Sequence, residues 1–226
     1  MILFPSRGRP QQLMKVVETY QITGVTSKVL LILDEDDAHR YDDVKGQLPD
    51  NFSVLINKNV LDFKAAVEAG YAAYPDEPWY GGGSDDLFPL TYGWDVKLAE
   101  AAVPHNLSWG DDGCHGENLA SAPFFGASLI KSFGWIMPPF LKRGYADFLW
   151  MGYARELGIC RYLSDVKFDH RHWQVLDKQT GKRKANFDET YASQPSVADD
   201  KLACEKHLAS EEFKTNVERI RKELEL

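Results

Sequence analysis

Three neighbouring residues, Ser84, Asp85 and Asp86, follow a run of three glycines and form the most informative motif of the chain. Paired carboxylates after such a flexible segment are typical of a strand end that presents oxygen ligands to a hard divalent cation. Magnesium and manganese commonly share these ligands with the phosphate groups of a substrate. The motif therefore predicts a Mn²⁺ or Mg²⁺ site, and an acidic surface turn is the alternative interpretation.

Two histidines far along the chain, His170 and His172, are candidates to complete this metal site. Residues i and i+2 of an extended segment point to the same side, so both imidazoles would face one ion. The alternative is a solvated surface strand with the sequence His-Arg-His.

Arg7 and Arg9 straddle Gly8 directly after the first apolar segment. Guanidinium groups match phosphate oxygens, and a glycine between them permits close approach of the backbone. Asp34 follows five apolar residues, and a carboxylate at such a strand end can accept from a base N–H or a ribose hydroxyl. The segment is neither a Walker loop nor a dinucleotide fingerprint, because the required glycines and lysine are missing. The alternatives are a solvated turn for the arginines and a cap or turn acid for Asp34.

Asp147 stands in the first turn of a helix predicted over residues 146–157, where the helix dipole alone favours an acid. Its functional interpretation is a general base for an acceptor hydroxyl. Residues 109–118 are rich in Gly and Asp and predict a loop, which could close over a substrate. This loop contains Cys114 and His115, but we discount a nucleophile there, because no Gly-x-Ser-x-Gly elbow or cysteine signature accompanies them.

Alternating apolar segments and amphipathic patterns must position these residues. Residues 2–4, 29–33 and 52–56 predict strands that alternate with helices over the first hundred residues. This pattern favours an α/β fold with a mostly parallel central sheet flanked by helices. Ligands of such sheets bind outside the carboxyl ends of the strands, so the three polar loops at 6–9, 34–37 and 84–86 should converge there.

The composition limits the class of protein. The chain has 226 residues, 44% of them hydrophobic, and a net charge of −8, which argues against a general binder of nucleic-acid backbones. Three widely spaced cysteines suggest neither a disulfide framework nor a zinc site, and a cytoplasmic protein fits best. We expect no signal peptide and no transmembrane segment, because no apolar run approaches about 18 residues.

Together these residues resemble the GT-A fold glycosyltransferases, most closely the family 2 type, over residues 2–173. The family places a short proline-containing loop after its first strand, and the matching residues here are Pro5, Ser6, Arg7, Gly8, Arg9 and Pro10. Asp34 corresponds to the acid that contacts the nucleotide base. The Ser84–Asp86 motif corresponds to the DxD motif, with Ser84 in place of its first acid.

The resemblance also implies roles for the acids and histidines. Asp86 would bind the metal, Asp85 would support the ribose or the metal's water shell, and His170 or His172 would complete the metal site. The family's usual base belongs to a Glu-Asp pair, and Ala146 replaces the Glu here. That departure leaves Asp147 as the candidate base.

The function implied is metal-dependent transfer of a sugar from a nucleotide-diphosphate sugar, with a UDP-sugar favoured, to a glycan or other acceptor hydroxyl, with inversion. A single Rossmann-like GT-A domain would span residues 1–176, with a nucleotide-binding half at 1–100 and an acceptor-side half at 101–176. Residues 177–226 would form a polar excursion and a C-terminal helical tail. The net charge disfavours a nucleic-acid acceptor.

Two alternatives stay open. A nucleotidyltransferase acting on a sugar phosphate would share the scaffold and the metal, but it would normally carry a first loop richer in glycine. A non-catalytic module that binds nucleotide sugars or glycans could use the six Trp and ten Tyr residues as stacking surfaces.

Overall fold

An eight-stranded sheet organises the computed structural model, which describes residues 1–177, 180–192 and 196–226. Its strands are β1 (Ile2–Ser6), β2 (Val29–Asp34), β3 (Phe52–Asn57), β4 (Trp79–Gly82), β5 (Leu87–Pro89), β6 (Leu107–Asp111), β7 (Phe124–Gly126) and β8 (Cys160–His170). Their order across the sheet is β3-β2-β1-β4-β7-β6-β8-β5. Four of the seven pairings between these described strands are parallel, and the predicted α/β architecture is confirmed.

Helices cover the sheet, as the alternating pattern predicts. They are α1 (Pro10–Ile22), α2 (Asp42–Lys45), α3 (Phe63–Ala73), α4 (Trp94–Ala102), α5 (Ala127–Phe133), α6 (Ala146–Leu157), α7 (Glu189–Ala192), α8 (Ala198–Leu208) and α9 (Glu211–Glu223). Helix α1 begins at Pro10, where the missing N–H costs nothing and the fixed φ suits the first turn. None of the helices in the described ranges is long and apolar enough to cross a membrane.

The alternation of β1 and β2 side chains divides the core into two layers. Ile2, Phe4 and Leu31 belong to a buried cluster that contains residues of α1 and α4. Leu3 and Ile32 point the other way, into a cluster with residues of α3, α5 and α6. Because successive strand residues face opposite sides, the apolar residues of β1 and β2 supply both layers at once.

The C-terminal helices are part of the second layer. Cys204 of α8 and Phe213, Val217 and Ile220 of α9 are buried in the cluster that contains α6. Residues 178–179 and 193–195 of the predicted excursion and tail lie outside the described residues. Helices α8 and α9 therefore contribute to the same hydrophobic core as the sheet.

The strand order places a crevice beside β1. The chain runs from β1 outward through β2 and β3 and then returns to β4 on the other side of β1. Such a reversal separates the loops that follow β1 and β4, and ligands of open α/β sheets bind at this point. The loops 6–9 and 83–86 flank this crevice.

The predicted loop at residues 109–118 is partly wrong, because residues 109–111 belong to β6. Trp109 is buried and pairs with Tyr162 of β8. A Cβ on Gly110 would lie 2.6 Å from the carbonyl oxygen of Val166, so the glycine permits close approach of β8. A glycine that suggests a loop in the sequence is here required within a strand.

Candidate functional site

A cavity of about 310 Å³ opens at the carboxyl edge of β1, β2 and β4, and we call it the arginine cavity. Residues from eight separate segments of the described chain line it. Eight of the ten predicted site residues are among them: Pro5, Ser6, Arg7, Arg9, Asp34, Asp85, Asp86 and His172.

Arg7 is held by two acids at the end of β2 and just after it. Its Nη1 donates to Asp34 Oδ2 at 2.8 Å, and its two terminal nitrogens donate to the exposed carboxylate of Asp36 at 2.6 and 2.7 Å. The hydrogen bond to Asp36 has the largest effect, and together with the bond to Asp34 it raises the pKa of Arg7. Asp34 also accepts from the side chain of Asn57 at 2.8 Å and from the backbone of Leu61 at 3.0 Å. The buried Asp34 thus connects Arg7 to β3.

Arg9 bridges two acids from distant segments. Its Nη1 donates to Asp85 Oδ1 at 3.1 Å, while Nε and Nη2 form a bidentate pair with Asp188 at 2.9 and 2.8 Å. Two parallel N–H···O bonds fix the orientation of the guanidinium plane. Asp188, which lies just before α7, is therefore tied to the loop after β1.

Asp85 is turned inward rather than toward the opening. It is buried, and its Oδ2 accepts from Ser6 Oγ at 3.1 Å. Burial and the neighbouring charge of Asp86 raise the pKa of Asp85 to about 6, although Arg9 opposes the shift. Through Ser6 and Arg9, Asp85 therefore anchors the loop after β4 to the loop after β1.

The loop after β1 depends on Gly8. Its φ is +73°, a left-handed conformation that residues with a Cβ rarely adopt. Its N–H donates to Asp37 Oδ2 at 2.6 Å, and a Cβ would lie 2.6 Å from Thr190 Oγ1. Thr190 donates in turn to the carbonyl of Arg7 at 3.3 Å. The residue between the two arginines must therefore be small and must accept positive φ.

Asp86 and the two histidines meet at the end of β8. The N–H of Arg171 donates to the carbonyl of Asp86 at 2.7 Å, and β5 pairs Leu87 with His170. Ser84 Oγ also donates to Asp86 Oδ1. Burial lowers the pKa of His172, which lines the arginine cavity beside Asp86.

His170 instead faces a buried acid, Asp112, just after β6. Its Nδ1 lies 3.2 Å from Asp112 Oδ2, an oxygen that also meets Nδ1 of His115 at 2.8 Å and Ser121 Oγ at 2.7 Å. Although burial opposes ionisation, these bonds hold the pKa of Asp112 well below its usual range. Burial likewise opposes a charged His170, but Asp112 and Asp86 raise its pKa. His170 does not line the arginine cavity.

Asp147 lies in an adjoining cavity of about 460 Å³, which we call the Asp147 cavity. Burial raises the pKa of Asp147, and its Oδ1 accepts from the N–H of Phe148 at 2.9 Å. The two cavities share several lining residues: Pro5, Phe63, Ser84, Arg143, Gly144 and His172. The predicted base and the predicted metal ligand His172 therefore border one continuous depression.

Sequence reasoning missed Asp112, Arg143, Asp188 and Thr190. Arg143 precedes the predicted helix of Asp147 and could have been noted as a third cation near the site. Asp188 and Thr190 carry no local signal, since only the tertiary fold brings residues 179 and 183 positions from their partners into contact.

Neither a protein-family model nor a curated protein sequence matches the chain. Several solved structures are similar to the chain. The mannosyltransferase PcManGT from Pyrobaculum calidifontis, in complex with GDP-Man and Mn²⁺, is 9% identical, with a TM-score of 0.57 over 99% of this chain and 73% of its own. GalNAc-T7 with UDP, GalNAc and Mn²⁺ is 11% identical, with a TM-score of 0.59 over 91% of this chain and 48% of its own. HddC from Yersinia pseudotuberculosis is 15% identical, with a TM-score of 0.52 over 91% of this chain and 98% of its own. At these identities the likeness shows the fold.

Proposed function

We propose that this chain, which has the predicted GT-A fold, is a metal-dependent glycosyltransferase of the family 2 type. The supporting observation is the arginine cavity, which gathers Arg7, Arg9, Asp34, Asp86 and His172 at the crevice beside β1. These side chains offer cations for phosphates, a carboxylate for a nucleoside and ligands for a divalent ion. A nucleotide-diphosphate sugar requires all three.

The donor lies in the arginine cavity. Arg7 and Arg9 pair the diphosphate oxygens, for which the carboxylates of Asp36 and Asp188 stand in when no donor is bound. Their charge stabilises the diphosphate as it departs. Asp34, fixed by Asn57, accepts from the base or the ribose. We propose a UDP-sugar as the donor.

Asp86 and His172 fit a hard divalent ion such as Mn²⁺ or Mg²⁺. Carboxylate oxygens are preferred ligands of both, and an imidazole binds metals in its neutral form. The lowered pKa of His172 keeps its ring neutral at neutral pH. When bound, the ion supplies positive charge to the leaving diphosphate. We assign His172 rather than His170 because only His172 borders the cavity.

Asp147 receives the acceptor's proton in the Asp147 cavity. Its raised pKa makes it a stronger base than an exposed aspartate. The acceptor oxygen bonds to the anomeric carbon from the face opposite the diphosphate, the carbon–oxygen bond to the diphosphate breaks, and the hydroxyl proton passes to Asp147. The product is an inverted glycoside. We propose a glycan or another hydroxyl compound as acceptor, and the net charge of −8 opposes a nucleic acid.

A thermal-shift panel of nucleoside diphosphates and nucleotide sugars, with and without Mn²⁺, tests this function. We expect metal-dependent stabilisation by uridine nucleotides, because a ligand at 100 times its Kd adds about 2.7 kcal/mol to the free energy of unfolding. Release of nucleoside diphosphate is then measured with the stabilising donor. Pyrophosphate release from a nucleoside triphosphate and a sugar phosphate would favour a nucleotidyltransferase. Binding without any release of diphosphate would favour a binding module.

A further inference from the structure

The loop that follows β6 carries a second group of metal-binding side chains, which the proposed transfer reaction does not use. One ligand atom from each of Asp112, Cys114 and His115 lies within 4.8 Å of the others. Cys114 and His115 are exposed, whereas Asp112 is buried. None of the three lines the arginine cavity.

The buried Asp112 orients Cys114 and His115 through hydrogen bonds. Its Oδ2 lies 2.8 Å from Nδ1 of His115, and its Oδ1 accepts the backbone N–H groups of Cys114 and His115 at 2.9 and 2.7 Å. An Nδ1–H that donates to the carboxylate leaves the lone pair of Nε2 available. That nitrogen faces the Sγ of Cys114. A carboxylate behind a histidine is the usual support of a metal-binding imidazole.

The separation of sulfur and nitrogen suits a bridging ion. Sγ of Cys114 and Nε2 of His115 are 3.9 Å apart, which is long for a strong hydrogen bond. The sum of a Zn–S bond of about 2.3 Å and a Zn–N bond of about 2.0–2.1 Å is roughly 4.4 Å. A separation below that sum is compatible with one ion bound to both atoms at a bent angle.

We propose that Cys114, His115 and Asp112 form a second cation site, which takes a thiophilic divalent ion such as Zn²⁺. A thiolate and an imidazole select Zn²⁺ over Mg²⁺ or Mn²⁺, which prefer oxygen ligands. Binding forms the metal–sulfur bond and releases the thiol proton to solvent. The site is thus chemically distinct from the carboxylate–imidazole pair of Asp86 and His172.

The second site adjoins the first through Asp112. The same Oδ2 that supports His115 contacts the ring of His170, and the centroids of the two rings are 6.3 Å apart. An ion at Cys114 would place positive charge beside the end of β8, which leads to His172. The two sites share no proposed ligand.

Titration of the full chain with Cd²⁺ alone tests the proposal, since a thiolate–cadmium bond gives a charge-transfer absorption in the ultraviolet. We expect this absorption to saturate at one ion per chain and to be lost in Cys114→Ser. The matched control is Cys160→Ser, which should retain it. Cys204 is a second internal control, because burial raises the pKa of its thiol to about 11.

Two further variants separate the ligands from their support. His115→Gln should weaken Cd²⁺ binding at least about tenfold, and Asp112→Asn should weaken it by about 10- to 100-fold. Asp86→Asn should leave the absorption unchanged, so loss of the proposed transfer reaction and loss of this site can be distinguished. The proposal is overturned if the absorption is absent from the wild type or survives in Cys114→Ser. Rapid alkylation of Cys114 without cadmium binding would instead indicate a reactive thiol activated by His115.

Discussion

Burial sets the chemistry of Asp147. Its carboxylate lies in a cavity beside the first turn of α6, and its pKa is raised above the ordinary aspartate value. A base must be deprotonated to accept a proton, so the active form is present above this pKa and is lost as the pH falls through it. We expect log kcat/KM of the wild type to decline with unit slope on the acidic side.

Asp147→Asn should lose transfer while it retains donor binding. Removal of a general base typically costs about 10²- to 10⁴-fold in rate, and Asn cannot take the proton. Turnover and the donor Kd are measured in parallel, with the exposed Asp199→Asn as the control. Full transfer by Asp147→Asn would show that another group is the base.

The candidate site was predictable where chemistry coincides with a strand end. Arg7, Arg9, Asp34 and Asp86 each follow an apolar or glycine-rich segment closely, and the structure brings them to one cavity. The contacts of Asp112 with His170 and of Asp188 with Arg9 were not predictable, because they join residues 58 and 179 positions apart that only the folded chain brings together. The inward orientation of Asp85 likewise depends on Ser6 and Arg9.

The loop after β1 combines a left-handed residue with close contact from the segment around α7. Gly8→Ala should lower the free energy of unfolding by about 1–2 kcal/mol, because a Cβ disfavours positive φ, and contact with Thr190 should add to this cost. Donor affinity should fall as well, since the loop carries both arginines.

Urea unfolding and donor binding of this variant are compared with Gly46→Ala. Gly46 has a negative φ, and a Cβ added there would meet no atom within 4 Å, so that substitution should be neutral or slightly stabilising. Equal stability of the two variants would contradict the account of the loop.

Helix α9 should behave as part of the sheet's core. Ile220 is 0% exposed, and Ile220→Ala should lower the free energy of unfolding by about 2–5 kcal/mol. Leu202 of α8 is 52% exposed, so Leu202→Ala should change it by less than about 0.5 kcal/mol. Urea denaturation measures both. A loss below about 1 kcal/mol in Ile220→Ala would mean that α9 contributes little to the core.

The sequence predicts a C-terminal helical tail within residues 177–226, but it could not show which surface the apolar side chains of α9 cover. These side chains pack on α5 and α6, in contacts between residues more than fifty positions apart. Similarly, Gly110 suggested a loop in the sequence. Its role in a strand could not be predicted, because it depends on close contact with the neighbouring strand β8. Local patterns determine elements, whereas their partners follow from topology.

The topology of the molecule explains how short motifs that are distant in the sequence come to lie in one site. Strands β1, β2 and β4 end at one edge, so acids and arginines spread over the first 86 residues meet in one cavity. The second half of the chain adds His172, two residues after β8, and Asp147 from α6. A reversal of strand order beside β1 therefore brings together the residues that we propose for donor, metal and acceptor, which no single motif contains.

Metal-dependent release of nucleoside diphosphate by wild type and Asp86→Asn is the most direct test of the proposed function. The loss of several kcal/mol of charge stabilisation should slow release at least about 100-fold, while the free energy of unfolding stays within about 0.5 kcal/mol. Asp76→Asn, an acid 93% exposed, should behave as the wild type. We expect Mn²⁺ to stimulate the wild type and Asp76→Asn but not Asp86→Asn. Undiminished Mn²⁺-dependent release by Asp86→Asn would contradict the proposed metal site.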